Sequence, residues 1–134
     1  MCPRKCNVSR DDTLGFCGAP STVKVSLANL FLFEEPIISG EEKDGAKPVG
    51  SGAIFFSHCN LKCCYCQNSE ISAGGAGKEI TIKRLSEIFK ELESAGAYNI
   101  NLVTPTHYTD QIIEALKIYK PKIPIIWNTS GYDD

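Results

Sequence analysis

The densest group of reactive side chains is a cysteine-rich stretch in the middle of the chain. Four cysteines lie there, and Cys59, Cys63 and Cys66 have the spacing C-x3-C-x2-C. Three thiolates on one tight loop can bind three corners of a cubane iron–sulfur cluster, although most such clusters use four cysteines. The fourth iron then stays open for another ligand, as catalytic metal sites keep an open position. The spacing therefore makes Cys59, Cys63 and Cys66 candidate ligands of an iron–sulfur cluster.

The same residues also admit simpler interpretations. The three thiols could bind zinc or stay buried and free, although C-x3-C-x2-C is a poor zinc pattern. Cys64 falls outside the spacing, and we expect it to pack as a small apolar side chain. His58 directly precedes the first cysteine; it either hydrogen-bonds near the metal centre or serves only as a loop residue.

Three further cysteines, Cys2, Cys6 and Cys17, stand near the N-terminus, which makes seven in all. Seven cysteines cannot all pair as disulfides. No apolar signal region follows Met1, and cysteines in a chain without a signal indicate metal or redox chemistry. Cys2, Cys6 and Cys17 are therefore a candidate second metal site, for zinc or a second cluster. The alternative is a cysteine-rich segment that holds no metal.

Three short apolar runs predict the strands that position the central cysteines. They are Ala53–Phe56, Tyr98–Val103 and Ile123–Trp127. Residues 22–33 are also apolar and predict either a strand or a short amphipathic segment. Residues 39–52 are rich in glycine and predict a loop, and Gly74–Gly77 predicts a flexible connection.

Two helices are predicted between these strands. Thr81 can cap the first, whose apolar residues recur at helical spacing and which stops at Gly96. The second runs from about Thr109 to Tyr119, with Pro121 beyond it. Strand, helix, strand, helix, strand makes two βαβ units, whose crossovers are right-handed and whose strands are parallel neighbours.

Polar segments follow each predicted parallel strand. They are residues 57–68, 104–108 and 128–132. Chemistry in parallel α/β folds sits at the carboxyl ends of the strands. The sequence therefore predicts that these three segments converge on one functional site.

The cysteine spacing, with an aromatic residue just before the last cysteine, resembles the radical S-adenosylmethionine superfamily. The continuation Tyr65-Cys66-Gln67-Asn68 is similar to relatives of the pyruvate formate-lyase activating enzyme. Further stretches resemble an uncharacterised branch of that group, and together they cover nearly the whole chain. They are Cys2-Pro3-Arg4-x-Cys6 with Gly15-Phe16-Cys17, Glu34-Glu35-Pro36, Ile38-Ser39-Gly40, Asn101 to Tyr108, and Asn128 to Tyr132.

The resemblance implies an enzyme whose [4Fe-4S] cluster, on Cys59, Cys63 and Cys66, chelates S-adenosylmethionine at its open iron. Reductive cleavage would release a 5′-deoxyadenosyl radical, which abstracts hydrogen from a substrate. In the best-known relatives that substrate is a glycyl residue of a partner enzyme, and the family electron donor is flavodoxin or ferredoxin.

The resemblance also implies the residues that contact S-adenosylmethionine. Tyr65 would approach its adenine. Thr104, Thr106 and His107 stand where the activating enzymes carry a Gly-Gly-Glu segment, so they could supply polar contacts but not the carboxylate. For His107, which begins the turn before a helix, simple capping is the alternative. The candidates for contact with the methionyl carboxylate or ribose are Asn128, Thr129 and Ser130, with ordinary turn chemistry as the alternative.

The expected fold is α/β, the N-terminal half of a partial (β/α)6 TIM-like barrel with parallel strands. Residues 1–52 would form a Cys-rich irregular lobe and loop, and residues 53–134 the first three β/α units. Since only three units are visible, we expect a truncated barrel. The competing hypothesis is a metal-binding module without catalysis, or an inactive fragment.

The composition argues against two classes of binding partner, nucleic acids and membranes. Hydrophobic residues make up 43% of the chain and charged residues 22%, with a net charge of −2. These values are typical of a globular protein and give no basic surface for nucleic acid. No apolar run is long enough to span a membrane. We therefore expect a cytoplasmic protein that binds neither nucleic acid nor membranes.

Overall fold

A five-stranded sheet organises the chain in the computed structural model, which describes residues 2–40 and 49–133. Its strands are β1 (Val23–Phe31), β2 (Ser51–Phe56), β3 (Lys78–Ile80), β4 (Ile100–Val103) and β5 (Ile125–Asn128), in the order β3-β1-β2-β4-β5. Strands β2, β4 and β5 are parallel, as predicted. The fold is mixed α/β, and closure of this sheet into a barrel stays a prediction.

One strand of the sheet runs against the predicted all-parallel arrangement. Strand β1 is antiparallel to both of its neighbours, β2 and β3. Residues 22–33 were predicted to form either a strand or a short amphipathic segment. The structure shows the strand β1 there. Strand β3 was not predicted, because a three-residue segment with two charged side chains has no readable periodicity. Its formation depends on the edge that β1 offers.

The predicted two-part division at residue 52 stays a prediction, although β1 lies in the same sheet as the strands that follow it. Part of the predicted loop over residues 39–52, namely residues 41–48, lies outside the described residues. On either side of that gap the chain forms a short helix α1 (Pro36–Ser39) and the start of β2.

Three further helices follow, α2 (Ser69–Ser72), α3 (Ile82–Ser94) and α4 (Thr109–Ile118), and a 3-10 turn over Thr106–Tyr108 leads into α4. Thr81 caps α3 as predicted, because its Oγ1 accepts a hydrogen bond of 3.1 Å from the Arg84 backbone N–H. Beyond α3, Gly96 takes a φ of 87°, a left-handed conformation that a side chain disfavours.

The main core lies between the sheet and helices α3 and α4. Leu85, Phe89 and Ile112 are fully buried there and belong to one cluster with Ile54 and Leu102 of the sheet. Burying a side chain of this size contributes about 1.5–3 kcal/mol. This packing fixes both helices against the sheet. The parallel pairing of β2, β4 and β5 brings their carboxyl ends to one edge.

Residues 2–20 contain turns but neither helix nor strand. Arg4 connects them to the segment after β2, donating a hydrogen bond of 2.9 Å from Nε to the Asn60 carbonyl. Arg10 likewise donates to the carbonyl of His107, after β4. The N-terminal segment therefore covers the carboxyl edge of the sheet. Within the described ranges, no helix is long and apolar enough to cross a membrane.

Candidate functional site

The cysteine loop, residues 57–68, connects β2 to α2 and is fixed at its first residue. Ser57 is fully buried, and its backbone N–H donates to the Lys24 carbonyl at 2.9 Å. Its hydroxyl donates to the Ala76 carbonyl at 2.7 Å. His58 and Lys62 take positive φ values of 72° and 57°. The loop therefore leaves the strand through a constrained turn rather than as a free segment.

The glycines of Gly74–Gly77 pack against this loop. A Cβ on Gly75 would lie 2.5 Å from His58 Cε1, and one on Gly77 would lie 2.3 Å from Ser57 Oγ. Real Cβ atoms do not approach that closely, so both positions exclude side chains. The segment predicted as a flexible connection is instead a close-packed support for the start of the loop.

Three half-buried thiols, those of Cys59, Cys63 and Cys66, stand on the loop. The Leu61 N–H donates to Cys59 Sγ at 3.4 Å, and Cys66 Sγ lies 3.3 Å from Ser72 Oγ. These contacts hold the sulfur atoms of Cys59 and Cys66 in place on the loop. Cys64 is exposed. The expectation that it packs as a small apolar residue is therefore wrong, because its side chain leaves the loop on the solvent side.

In the described structure the three thiols of the loop do not surround a single metal position. Among residues 2–40 and 49–133, no three Cys, His, Asp or Glu side chains are arranged around one metal position. A cubane cluster binds each thiolate to a different iron, so its ligands need not meet at one point. Three half-buried thiols on one constrained loop are compatible with such a cluster. The ligand assignment itself stays a prediction.

His107 joins the end of β4 to the start of the cysteine loop. Its Nε2 lies 2.8 Å from the Ser57 carbonyl oxygen, and the side chain is 3% exposed. A carbonyl only accepts, so Nε2 carries the proton. Burial lowers the pKa of His107 to about 4, against the weaker raising effect of the Ser57 carbonyl. His107 is thus a neutral anchor of the loop, turned into the protein.

His58 lies beside this anchor and against the N-terminal segment. Its ring is close to the positions of Gly18 and Gly75. Burial, with a contribution from Lys24, lowers the pKa of His58. His58 also has a hydrogen bond with the Cys17 backbone. Both interpretations of His58 stay predictions.

A second connection joins the cysteine loop to the segment after β5. Asn60 is 1% exposed, and its Nδ2 donates to the Tyr132 carbonyl at 2.9 Å. The Arg4 guanidinium lies 3.9 Å from the Phe16 ring centroid and 5.1 Å from that of Tyr132. Asn60 and Arg4 therefore hold the loop, the N-terminal segment and the third strand end together.

A carboxylate lies between the second and third strand ends. The hydroxyls of Thr106 and Thr129 each donate to one oxygen of Asp133. The Thr104 backbone N–H donates to the Asn128 carbonyl at 2.9 Å, and Thr104 itself takes a φ of 58°. The predicted convergence of residues 57–68, 104–108 and 128–132 is thus present as a hydrogen-bonded edge.

The remaining candidates stand at the surface of this edge. Tyr65 is 86% exposed, and Asn128 and Ser130 are exposed as well. Their proposed contacts with S-adenosylmethionine stay predictions. Of the N-terminal candidates, Cys2 is half-buried, Cys6 exposed and Cys17 buried.

Sequence reasoning missed three residues that connect the site: Arg4, Asn60 and Asp133. Arg4 and Asn60 were part of noted segments, but their roles depend on partners far along the chain. The signal that could have found Asn60 is its place directly after the first cysteine of the loop. Asp133 follows the predicted third polar segment by one residue.

Comparison with known proteins agrees with this arrangement. Residues 53–134 match the family model described as the radical SAM superfamily. The chain is 31% identical over 141 residues to an uncharacterized protein of Methanocaldococcus jannaschii, an alignment that covers 98% of this chain and 38% of that protein. It is 36% identical over 73 residues to a 7-carboxy-7-deazaguanine synthase of Methanothermobacter thermautotrophicus, covering 52% of this chain and 30% of that enzyme.

The chain thus spans well under half the length of each of these relatives, and no solved structure matches it. The family match includes β2 from Ala53 onward, the cysteine loop, β4 and β5, and thus the strand ends that converge. On these grounds the chain belongs to the radical S-adenosylmethionine superfamily.

Proposed function

We propose that the protein containing this chain is a radical S-adenosylmethionine enzyme similar to the pyruvate formate-lyase activating enzymes. The observation that supports this most is the joining of three strand ends around the cysteine loop. His107 holds Ser57, and Asn60 holds the Tyr132 carbonyl. One edge of the sheet thus presents three thiols beside hydroxyl, amide and carboxylate groups.

The cluster and S-adenosylmethionine, when bound, supply a 5′-deoxyadenosyl radical for hydrogen abstraction. Cys59, Cys63 and Cys66 would hold the cluster, and their loop is fixed by Ser57 and by the glycines packed against it. The chain's own contribution is a preorganised edge, which keeps the reactive groups in place without further ordering.

Asp133 supplies a carboxylate where the family's Gly-Gly-Glu segment is replaced by Thr104-Pro105-Thr106-His107. Its oxygens accept from Thr106 and Thr129, so both strand ends orient it. A carboxylate oxygen has further acceptor capacity. It can therefore accept from the amino group of S-adenosylmethionine, with Tyr65, Asn128 and Ser130 as outer contacts on the same edge.

His107 was predicted to contact S-adenosylmethionine, and we assign it a different role. Its ring is buried, and its proton is directed to Ser57. It is a positioning residue for the loop. Thr104 and Thr106 keep their proposed places beside the cofactor.

The substrate and partners are also proposals. By analogy with the activating enzymes, the substrate is a glycyl residue of a partner protein, the electron donor is flavodoxin or ferredoxin, and the reaction takes place in the cytoplasm. The relative named 7-carboxy-7-deazaguanine synthase points instead to a small-molecule substrate. A partner protein with deuterated glycine distinguishes the two. Deuterium found in 5′-deoxyadenosine would support the glycyl substrate, and its absence would favour a small molecule.

Formation of 5′-deoxyadenosine tests the proposal. The protein is reconstituted anaerobically with iron and sulfide, reduced, and given S-adenosylmethionine. We expect 5′-deoxyadenosine from the wild type and from Cys64→Ser, and none from Cys63→Ala. A reconstituted protein that binds zinc stoichiometrically and forms no 5′-deoxyadenosine would instead support the non-catalytic metal-binding module.

A further inference from the structure

The three N-terminal thiols line one cavity. Cys2, Cys6 and Cys17 all contribute to the wall of a space of about 170 Å³, together with Arg4 and Arg10. They are separated along the chain and lie in a segment without helix or strand. The fold nevertheless brings all three to the same place, and none of them belongs to the cysteine loop.

Each of these sulfurs accepts an N–H. The Phe16 backbone donates to Cys6 Sγ at 3.4 Å, and the Ala19 backbone donates to Cys17 Sγ at 3.5 Å. The Asn60 side chain donates to Cys2 Sγ at 3.7 Å. These contacts hold each of the three sulfur atoms in place around the cavity.

Positive charge surrounds the same cavity. Arg4, Lys5 and Arg10 line it, so three cations stand against three potential thiolates. Arg4 also stacks on the Phe16 ring at 3.9 Å, and Phe16 is the residue whose backbone donates to Cys6. Arg4 therefore helps to hold the Phe16 donor in place beside Cys6.

The backbone around Cys6 is tightly wound. Lys5 and Asn7, on either side of it, take positive φ values of 45° and 50°. The Lys5 N–H also donates to the Cys2 carbonyl at 3.2 Å. Side chains disfavour such conformations, which persist where the surroundings impose them. A metal that binds Cys2 and Cys6 together would impose this turn.

From these observations we propose that Cys2, Cys6 and Cys17 bind a second metal centre, of zinc or iron, separate from the cysteine loop. Three thiolates leave a fourth position for water or another ligand. The thiols line the cavity without meeting at one point, so binding draws them inward. Because residues 2–20 contain no helix or strand, that movement breaks no regular element. The centre would then order this segment over the carboxyl edge of the sheet.

This centre is independent of the proposed enzymatic function. A zinc-protection experiment tests it without any activity. Cys6 is exposed, so an alkylating reagent reaches it freely in the protein without metal. Added zinc should slow alkylation of Cys6, read by mass spectrometry, about tenfold or more, since a metal-bound thiolate is not free to react.

Variants make the test specific. Cys17→Ala should abolish the zinc protection of Cys6, because it removes one of the three ligands. Cys64→Ser and Cys63→Ala are the matched controls and should leave that protection intact, so that failure of the cluster assignment does not affect the result. Equal alkylation of Cys6 with and without zinc would overturn the proposal, as would full protection in Cys17→Ala.

Metal analysis of the purified protein identifies the occupant. Cys6→Ser, a change at an exposed position, should lose one centre while Cys64→Ser keeps it. Loss of zinc would indicate a mononuclear site, and loss of iron with sulfide would indicate a second cluster. Either loss would support a metal centre on the three cysteines. Unchanged zinc and iron contents in Cys6→Ser would contradict it.

Discussion

His107 Nε2 lies 2.8 Å from the carbonyl oxygen of Ser57, so that the end of β4 holds the first residue of the cysteine loop. The contact joins two segments that are far apart in the sequence. It also gives a polar partner to a histidine whose side chain is only 3% exposed. The loop that carries the cluster cysteines therefore depends on a residue outside it.

Removal of this contact should weaken the cluster. His107→Leu leaves the Ser57 carbonyl without its donor, which frees the start of the loop. His107→Gln keeps an N–H that can reach the carbonyl. We expect iron retention after a chelator challenge to fall on the order of tenfold in His107→Leu and much less in His107→Gln. Equal retention in the two variants would contradict the anchoring role.

Folding stability should fall in mild acid because of His107. Its pKa is about 4 when folded, against 6.5 for an unperturbed histidine, and burial is the main cause. Between those values the unfolded chain binds a proton that the folded chain does not. The contribution of His107 to folding stability is therefore complete above about pH 6.5 and is lost as the pH falls. The loss approaches roughly 3 kcal/mol near pH 4.

Urea unfolding at pH 7.5, 6.0 and 5.0 measures this effect. The pKa of His58 is also lowered by burial and acts in the same direction. The difference between wild type and His107→Gln therefore isolates His107. Identical pH slopes in the two proteins would refute the assignment of a buried neutral imidazole.

Gly77 should be far less tolerant of a side chain than Gly96. Both have positive φ, of 148° and 87°, but a Cβ on Gly77 would lie 2.3 Å from Ser57 Oγ, whereas Gly96 has no atom within 4 Å of that position among the described residues. Gly96→Ala should cost about 1–2 kcal/mol for its backbone conformation alone. Gly77→Ala should cost about 1–3 kcal/mol more, from overlap with its neighbours.

Thermal or urea unfolding compares the two alanine variants directly. Gly77→Ala should also lower the iron retained by the cysteine loop, because Ser57 must shift to make room. Similar losses of stability in Gly77→Ala and Gly96→Ala would show that Gly77 is not packed against the loop.

Asp133 should contribute to the affinity for S-adenosylmethionine. Asp133→Asn removes the negative charge but keeps the size of the side chain, so a hydrogen bond to the cofactor's charged amino group loses about 1.5–3 kcal/mol. The dissociation constant should rise about tenfold or more. Asp12→Asn, at an exposed turn of the N-terminal segment, is the control. Unchanged affinity in Asp133→Asn would remove Asp133 from the site.

The parallel part of the fold was predictable because its signals are local. Thr81 and Gly96 mark the ends of α3, and the apolar runs mark β2, β4 and β5. Strand β3 was not predictable in this way, since Lys78–Ile80 becomes a strand only by pairing with Val23–Val25. Strand β1 gave an ambiguous local pattern, and its antiparallel direction is a property of the whole sheet.

The residues of the candidate site likewise divide into those with a local sequence pattern and those whose role depends on distant partners. The cysteine spacing is a local pattern, so Cys59, Cys63 and Cys66 could be named from the sequence. Asn60 and Asp133 matter through partners elsewhere, namely Tyr132 for the first and Thr106 for the second. His107 was named from its place at a strand end, but its bond to Ser57 was not predictable, because the sequence does not show which way a side chain at a strand end turns.

The cluster assignment is tested most directly by iron analysis of reconstituted Cys63→Ala. Cys64→Ser is the matched control, since the two cysteines are adjacent in the chain and Cys64 is exposed. Relative to wild type, we predict that Cys63→Ala loses about four irons per chain together with the absorption of the cluster, while Cys64→Ser keeps both. A complete cluster in Cys63→Ala would contradict the account.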